Sequence, residues 1–145
     1  MQPIMTKAEI TDFLKEQFRQ VGPDFDVERL TSDGLVMRLK VTDMNLRPGG
    51  TVSGPTMFGL ADLCFYCALL ARIGPVALAV TTSAAIDFLR KPAAGQDLLA
   101  EARLLKLGKV LAVGDVMIHS AGQQAPVARA SLTYSIPPKT DKNLG

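Results

Sequence analysis

Net charge is almost missing from this chain: 16 lysines and arginines face 14 aspartates and glutamates, leaving a formal +2 over 145 residues. So small a surplus builds no basic surface for nucleic acid or an anionic membrane, and neither partner is expected. Cysteine and histidine are scarce as well, with only Cys64 and Cys67 of the first and His119 of the second. They form no set with zinc-site spacing, so no metal is expected. The cysteines spell CxxC, but inside an apolar stretch rather than at a helix start, and two buried core thiols are expected. The N-terminal residues show no basic start, apolar core and small-residue cleavage site. The apolar run around residues 57–71 is interrupted by Asp62 and short for a membrane span. A soluble cytoplasmic protein is the expectation. A chain of 145 residues fits one domain, which buries roughly two thirds of the surface its unfolded form exposes.

What is present has clear periodicity. Residues 6–21, TKAEITDFLKEQFRQV, place Ile10, Phe13, Leu14 and Val21 at helical spacing, with Thr6 and Glu9 as a capping box. Gly22 and Pro23 then stop the helix. Residues 25–31 and 34–43 predict a hairpin about Ser32-Asp33-Gly34, with Leu35, Met37, Leu39 and Val41 facing one way and Arg38 and Lys40 the other. Residues 49–71, GGTVSGPTMFGLADLCFYCALLA, predict a glycine-rich turn and then a helix that is apolar or small on most sides. Four alternating stretches follow at about 76–89, 97–107, 109–119 and 126–136, which predict strands. In the last, Ala128, Ala130, Leu132, Tyr134 and Ile136 oppose Arg129, Ser131 and Thr133, as in a sheet buried on one face. With no helix among these four there are no parallel crossovers, and the order predicts an α+β domain whose curved antiparallel sheet wraps the apolar helix. The expected organisation is an N-terminal helix (1–23) packed on a main domain (24–138), with a flexible tail (139–145).

Within the apolar helix Asp62 is the one charge between Pro48 and Ala71. An unpaired carboxylate there would be costly, so it needs a reason. Pro55 suits the first helical position, which makes Gly54 the expected N-cap, its N–H free at the helix end to meet a carbonyl oxygen or an anion. Asp62 lies eight residues on, about 12 Å along the same helix at 1.5 Å per residue. Groups that act on one carbonyl must approach it to about 3 Å. If Gly54 and Asp62 share a reacting carbonyl, Asp62 must therefore come from a second subunit, and a twofold dimer provides that arrangement twice. Asp62 would then be a general base or a nucleophile. A structural acid bonded to amides or hydroxyls, beside ordinary helix-start grammar at Gly54-Pro55, is the other reading these residues allow.

These same residues resemble the hotdog-fold acyl-CoA thioesterases, in the branch related to the phenylacetate-pathway (PaaI-like) thioesterase. That family opens its central helix with a His-Gly-Gly turn followed by a catalytic Asp or Glu. SGPTMFGLAD sets Ser53, Gly54 and Pro55 on the turn and Asp62 on the acid at the same spacing. VTTSAAIDFLRKP (80–92) resembles the family's long strand and its Phe-Leu-Arg-Pro type bend, and AEARLLKL (100–107) with GKVLAVGDV (108–116) continues the likeness. It covers about residues 26–136. The resemblance implies a hotdog fold and hydrolysis of acyl-CoA to free acid and CoA by a homodimer or a dimer of dimers. Gly54 donates its N–H to the thioester oxygen, Asp62 of the other subunit activates water or attacks the carbonyl, and Thr81 orients the water. Coenzyme A enters as part of the substrate, with no other cofactor.

The departures from that pattern are Ser53 for the family's His, Pro55 for its second Gly, and Asn45 or Arg47 where relatives place an Asn. Ser53 retains the capacity to order the turn by bonding backbone groups. Coenzyme A phosphates call for a basic rim, for which Arg90, Lys91, Lys106 and Lys109 are candidates. The acyl group calls for apolar contacts such as Met57, Phe58 or Phe65. Two other functions have their own residue requirements. A hotdog dehydratase needs a His paired with an acid, and His119 sits at a strand end away from the helix start. A noncatalytic acyl-CoA binding protein needs no acid at all.

Overall fold

The computed structural model describes residues 2–138, so the expected flexible tail at 139–145 lies outside the described residues. Helix α1 spans Lys7–Gln17 and is closed by the capping box, Thr6 accepting from the Glu9 N–H and Glu9 accepting from the Thr6 N–H. Its buried face is Ile10, Phe13 and Leu14. The helix ends earlier than the periodicity suggests, because Phe18 turns out of it and Arg19–Val21 form a 3-10 turn that stops at Gly22 (φ 80°). Strands β1 (Phe25–Leu30) and β2 (Gly34–Leu39) form the hairpin. The second arm is shorter than 34–43: after Leu39 the chain leaves the sheet and forms a 3-10 turn at Asp43–Asn45.

Helix α2, Gly54–Ile73, is the centre of the molecule. By length and composition it is apolar enough to cross a membrane, yet 72% of its most apolar window is buried inside the domain. Strands β3 (Val80–Phe88), β4 (Leu98–Leu107), β5 (Leu111–Ser120) and β6 (Pro126–Ser135) complete one six-stranded antiparallel sheet in the order β1-β2-β4-β5-β6-β3. The inward residues predicted for the last strand, Ala128, Ala130, Leu132 and Tyr134 of β6, join the core around α2, and so do the alternating Leu98, Ala100 and Ala102 of β4. Alpha1 joins the same core. This is the hotdog architecture: a curved sheet around a long apolar helix, with an extra N-terminal helix.

Three local features position the site. Beta3 begins at Val80 rather than near 76, because Gly74 (φ 93°) caps α2 and residues 74–79 fold as a turn held by the bond from the Tyr66 hydroxyl to the Ala77 carbonyl (3.0 Å). A bulge between Thr81 and Ser83 shifts the β3–β6 register by one residue. Thr81 thereby faces Tyr134 across the ladder, while Ile86 and Phe88 further along face Ala130 and Ala128. Beyond α2, the buried Arg72 guanidinium donates to the carbonyls of Gly34 (2.8 Å) and Thr31 (2.7 Å), tying the helix C-terminus to the β1–β2 turn. The two cysteines are free thiols in the core, as expected, and burial pushes Cys64 up to about 12 and Cys67 up as well.

Candidate active site

The loop ahead of α2 is built to present the helix start. A bridge between Leu46 and Val52 closes the glycine-rich turn, and the Ser53 N–H bonds the Asn45 carbonyl at 2.8 Å. Ser53, not Gly54, is the N-cap. Its extended backbone and hydroxyl allow it to accept from the Thr56 N–H (3.3 Å), the bond that glycine has no side chain to make. Gly54 becomes the first helical residue and Pro55 the second. The expected consequence survives this shift by one position, since the Gly54 N–H has no hydrogen-bond partner among the described residues. Phe88 covers this point: a Cβ on Gly54 would come within 3.2 Å of its ring tip.

Asp62 sits on the opposite stretch of the same helix surface, half-buried, and it has partners. The Thr81 hydroxyl donates to Asp62 Oδ1 at 2.6 Å and the Tyr134 hydroxyl to the same oxygen at 2.7 Å. Tyr134 also lies 3.2 Å from the Asp62 carbonyl oxygen. Burial, and then the Asp62 charge beside it, hold the Tyr134 hydroxyl well above its ordinary range, so it remains a proton donor. The carboxylate borders a groove of about 660 Å³ between α2, the Val21 turn and the strand β3 entry, lined by Phe18, Val21, Phe25, Tyr66, Ala77 and Ala79 among others. Asp62 is its one charged lining residue. The volume and lining suit an apolar ligand with one reactive polar point. Phe18 meets Tyr66 edge-on at 6.0 Å, and Tyr66 lies 6.1 Å from Tyr134, so three aromatic rings form one wall.

The remaining sequence candidates fall apart into groups. Met57 and Phe65 are buried in the core and Phe58 is partly exposed; none lines the Asp62 groove. Arg47 is exposed on the turn, and the Asn45 side chain accepts from the Thr42 N–H (2.8 Å), bracing its own loop. Arg90 and Lys91 follow Phe88 and so lie at the Gly54 end, with Arg90 bonded to the Pro126 carbonyl. Lys106 and Lys109 flank the β4–β5 turn at the other end of the sheet, where Leu111 pairs with Ser135. Among the described residues no group of three His, Cys, Asp or Glu side chains could hold a metal ion. The sequence reading missed Tyr134 and the groove wall from Phe18 and Tyr66. Tyr134 follows the same alternation as its core neighbours, and only a hydroxyl among inward aliphatic residues marked it.

Residues 49–127 match the Thioesterase superfamily, and the chain belongs to that family of thioester hydrolases. A crystal structure from Silicibacter sp. TM1040, of a protein assigned as a thioesterase, is 52% identical, with 95% of this chain and 96% of that one aligned at a TM-score of 0.89. A phenylacetic acid degradation protein PaaI from Thermus thermophilus is 25% identical over 87% of this chain and 99% of its own, TM-score 0.69. A thioesterase protein from Streptococcus pneumoniae, solved with coenzyme A, shares the fold at 20% identity, TM-score 0.74, over 88% of this chain and 96% of its own. No curated protein matches the sequence.

Proposed function

We propose that the protein hydrolyses acyl-CoA thioesters at two composite sites of a homodimer. The observation that carries this reading is the separation of two complementary halves in one chain. An unpartnered Gly54 N–H lies at the start of α2, and Asp62 borders an apolar groove about 12 Å further along. Phe88 against Gly54 and Thr81 on Asp62 hold the same two points apart along β3. The halves serve one thioester only when a second α2 lies alongside, roughly antiparallel. Beta3 is the edge strand that leaves room for it, because Val80, Phe88 and Leu89 remain about half exposed there (54%, 52% and 45%).

In the assembled site the thioester oxygen accepts from the Gly54 N–H of one subunit, which stabilises the charge that develops as the carbonyl becomes tetrahedral. Asp62 of the other subunit either takes a proton from a water whose oxygen adds to the carbonyl carbon, or adds to that carbon itself. The C–S bond then breaks and the thiolate of coenzyme A leaves and takes up a proton; the acid is released directly in the first route, and in the second only after water hydrolyses the acyl-Asp62 anhydride and restores the carboxylate. The acyl group lies in the Asp62 groove, and Arg90 and Lys91 near Gly54 meet the phosphates. The coenzyme A complex of the Streptococcus pneumoniae protein and the acetyl-CoA complex of smu.793 from Streptococcus mutans agree with this class of ligand.

The test is a screen of the purified protein against aromatic and aliphatic acyl-CoA esters, read by free-thiol release, with light scattering on the same sample. Turnover by a dimer or a dimer of dimers is expected. Acyl-CoA binding without turnover would favour the noncatalytic reading, and a monomer that turns over substrate would remove the split site.

A further inference from the structure

Two hydroxyls converge on one oxygen of Asp62, and this asymmetry has chemical content. Oδ1 accepts from Thr81 at 2.6 Å and from Tyr134 at 2.7 Å, while Oδ2 has no hydrogen-bond partner among the described residues. The two donors come from paired positions on adjacent strands, Thr81 opposite Tyr134, and the bulge after Thr81 is what lets both face α2. Tyr134 is 3% exposed and its ring packs on Phe65 (5.3 Å) and Tyr66 (6.1 Å), so its hydroxyl cannot easily swing away. A carboxylate gripped this way has one side-chain orientation and one oxygen left for chemistry.

We infer that Tyr134 is a positioning residue which, together with Thr81, holds Asp62 by Oδ1 and leaves Oδ2 as the oxygen that meets water or the thioester carbon. This assigns Thr81 to the carboxylate rather than to the water. It rests on the proposed hydrolysis only for its kinetic consequence, since the grip itself exists without substrate. The aromatic wall is unaffected by removal of one oxygen, so Tyr134→Phe isolates the hydroxyl.

The experiment combines kinetics with crystallography. In Tyr134→Phe, kcat falls about tenfold, the loss expected for one hydrogen bond to a charged group, while KM stays within about twofold. Thr81→Val behaves likewise and serves where the tyrosine variant folds poorly. In an Asp62→Asn background the added Tyr134→Phe change has little further effect on kcat, because its route runs through the carboxylate. A merely structural role would lower the rate equally in both backgrounds, and that result overturns the inference. Crystals of wild type and Tyr134→Phe give the reading that needs no activity: Asp62 is held by Oδ1 in the first and rotates or splits between orientations in the second. An unchanged, single Asp62 orientation in Tyr134→Phe and Thr81→Val also overturns it. Absence of hydrolysis in wild type, with the grip intact in crystals, counts against the proposed function alone.

Discussion

Replacing Asp62 by asparagine changes one atom of the side chain and removes its charge. The amide oxygen still accepts from Thr81 and Tyr134, so stability loses only the difference between charge-assisted and neutral hydrogen bonds, about 1 kcal/mol. For a domain of this size that lowers Tm by a few degrees at most, on the order of 2–6 °C. Activity should fall far more. A positioned general base contributes roughly 10²–10⁴-fold, equivalent to about 3–5 kcal/mol of transition-state stabilisation. The expected outcome is thus a folded dimer with kcat reduced at least a hundredfold, roughly, and acyl-CoA binding retained. Thiol release followed with a chromogenic disulfide is a suitable assay because Cys64 and Cys67 are buried and add no background. Hydrolysis within about threefold of wild type, with a near-native melting curve, would refute the role given to Asp62.

Three further outcomes follow from the packing. Arg72→Met keeps an apolar stem but removes the donor to the Thr31 carbonyl and one of two donors to the Gly34 carbonyl, which keeps its bond from the Thr31 N–H (3.1 Å), and urea titration should show a loss of about 1–3 kcal/mol; a loss under roughly 0.5 kcal/mol would mean the clamp is idle. Gly34→Ala should prevent native folding, since its Cβ would stand 1.6 Å from the Ala102 carbonyl oxygen, a backbone atom that cannot step aside without breaking the β2–β4 ladder; a native melting curve contradicts this. Burial pushes the Cys64 thiol up to about 12 in the folded protein, against about 8.5 for an unfolded thiol, so unfolding releases a proton between these values. The contribution of Cys64 to stability is therefore fully present below about pH 8.5 and is lost as pH rises above it, and Cys64→Ala should reduce the slope in alkaline urea melts.

Most of the fold is legible because its signal is local. Alternation fixes the inward faces of β4 and β6, the capping box marks α1, and the all-round apolar surface of α2 requires a wrapping sheet. What escaped depends on contacts between distant segments. The bulge at Thr81 changes which face a residue takes, and no residue type announces it. Beta3 appears too long in the sequence because Val76 to Ala79 have strand-like composition, while the turn there is imposed by Gly74 and by Tyr66. The N-cap lies one residue before the position the sequence suggests, since Ser53 and Gly54 both suit it and only the bond to Thr56 decides between them. Asp62 stood out as a lone charge, but its partner Tyr134 is 72 residues away and indistinguishable from core in an alternating strand.

The central claim, that each site takes Gly54 from one subunit and Asp62 from the other, is tested by mixing two inactive proteins. Asp62→Asn removes one half, and Gly54→Pro removes the N–H at a first-turn position that accepts proline, with the half-exposed Phe88 ring able to move aside. Unfolded together in equal amounts and refolded, half of the dimers are mixed, and each mixed dimer carries one intact site. The expected result is about one quarter of wild-type activity from two proteins that are each inactive alone. If the mixture is as inactive as its parents while mixed dimers are present, the two groups act within one chain and the composite site is wrong.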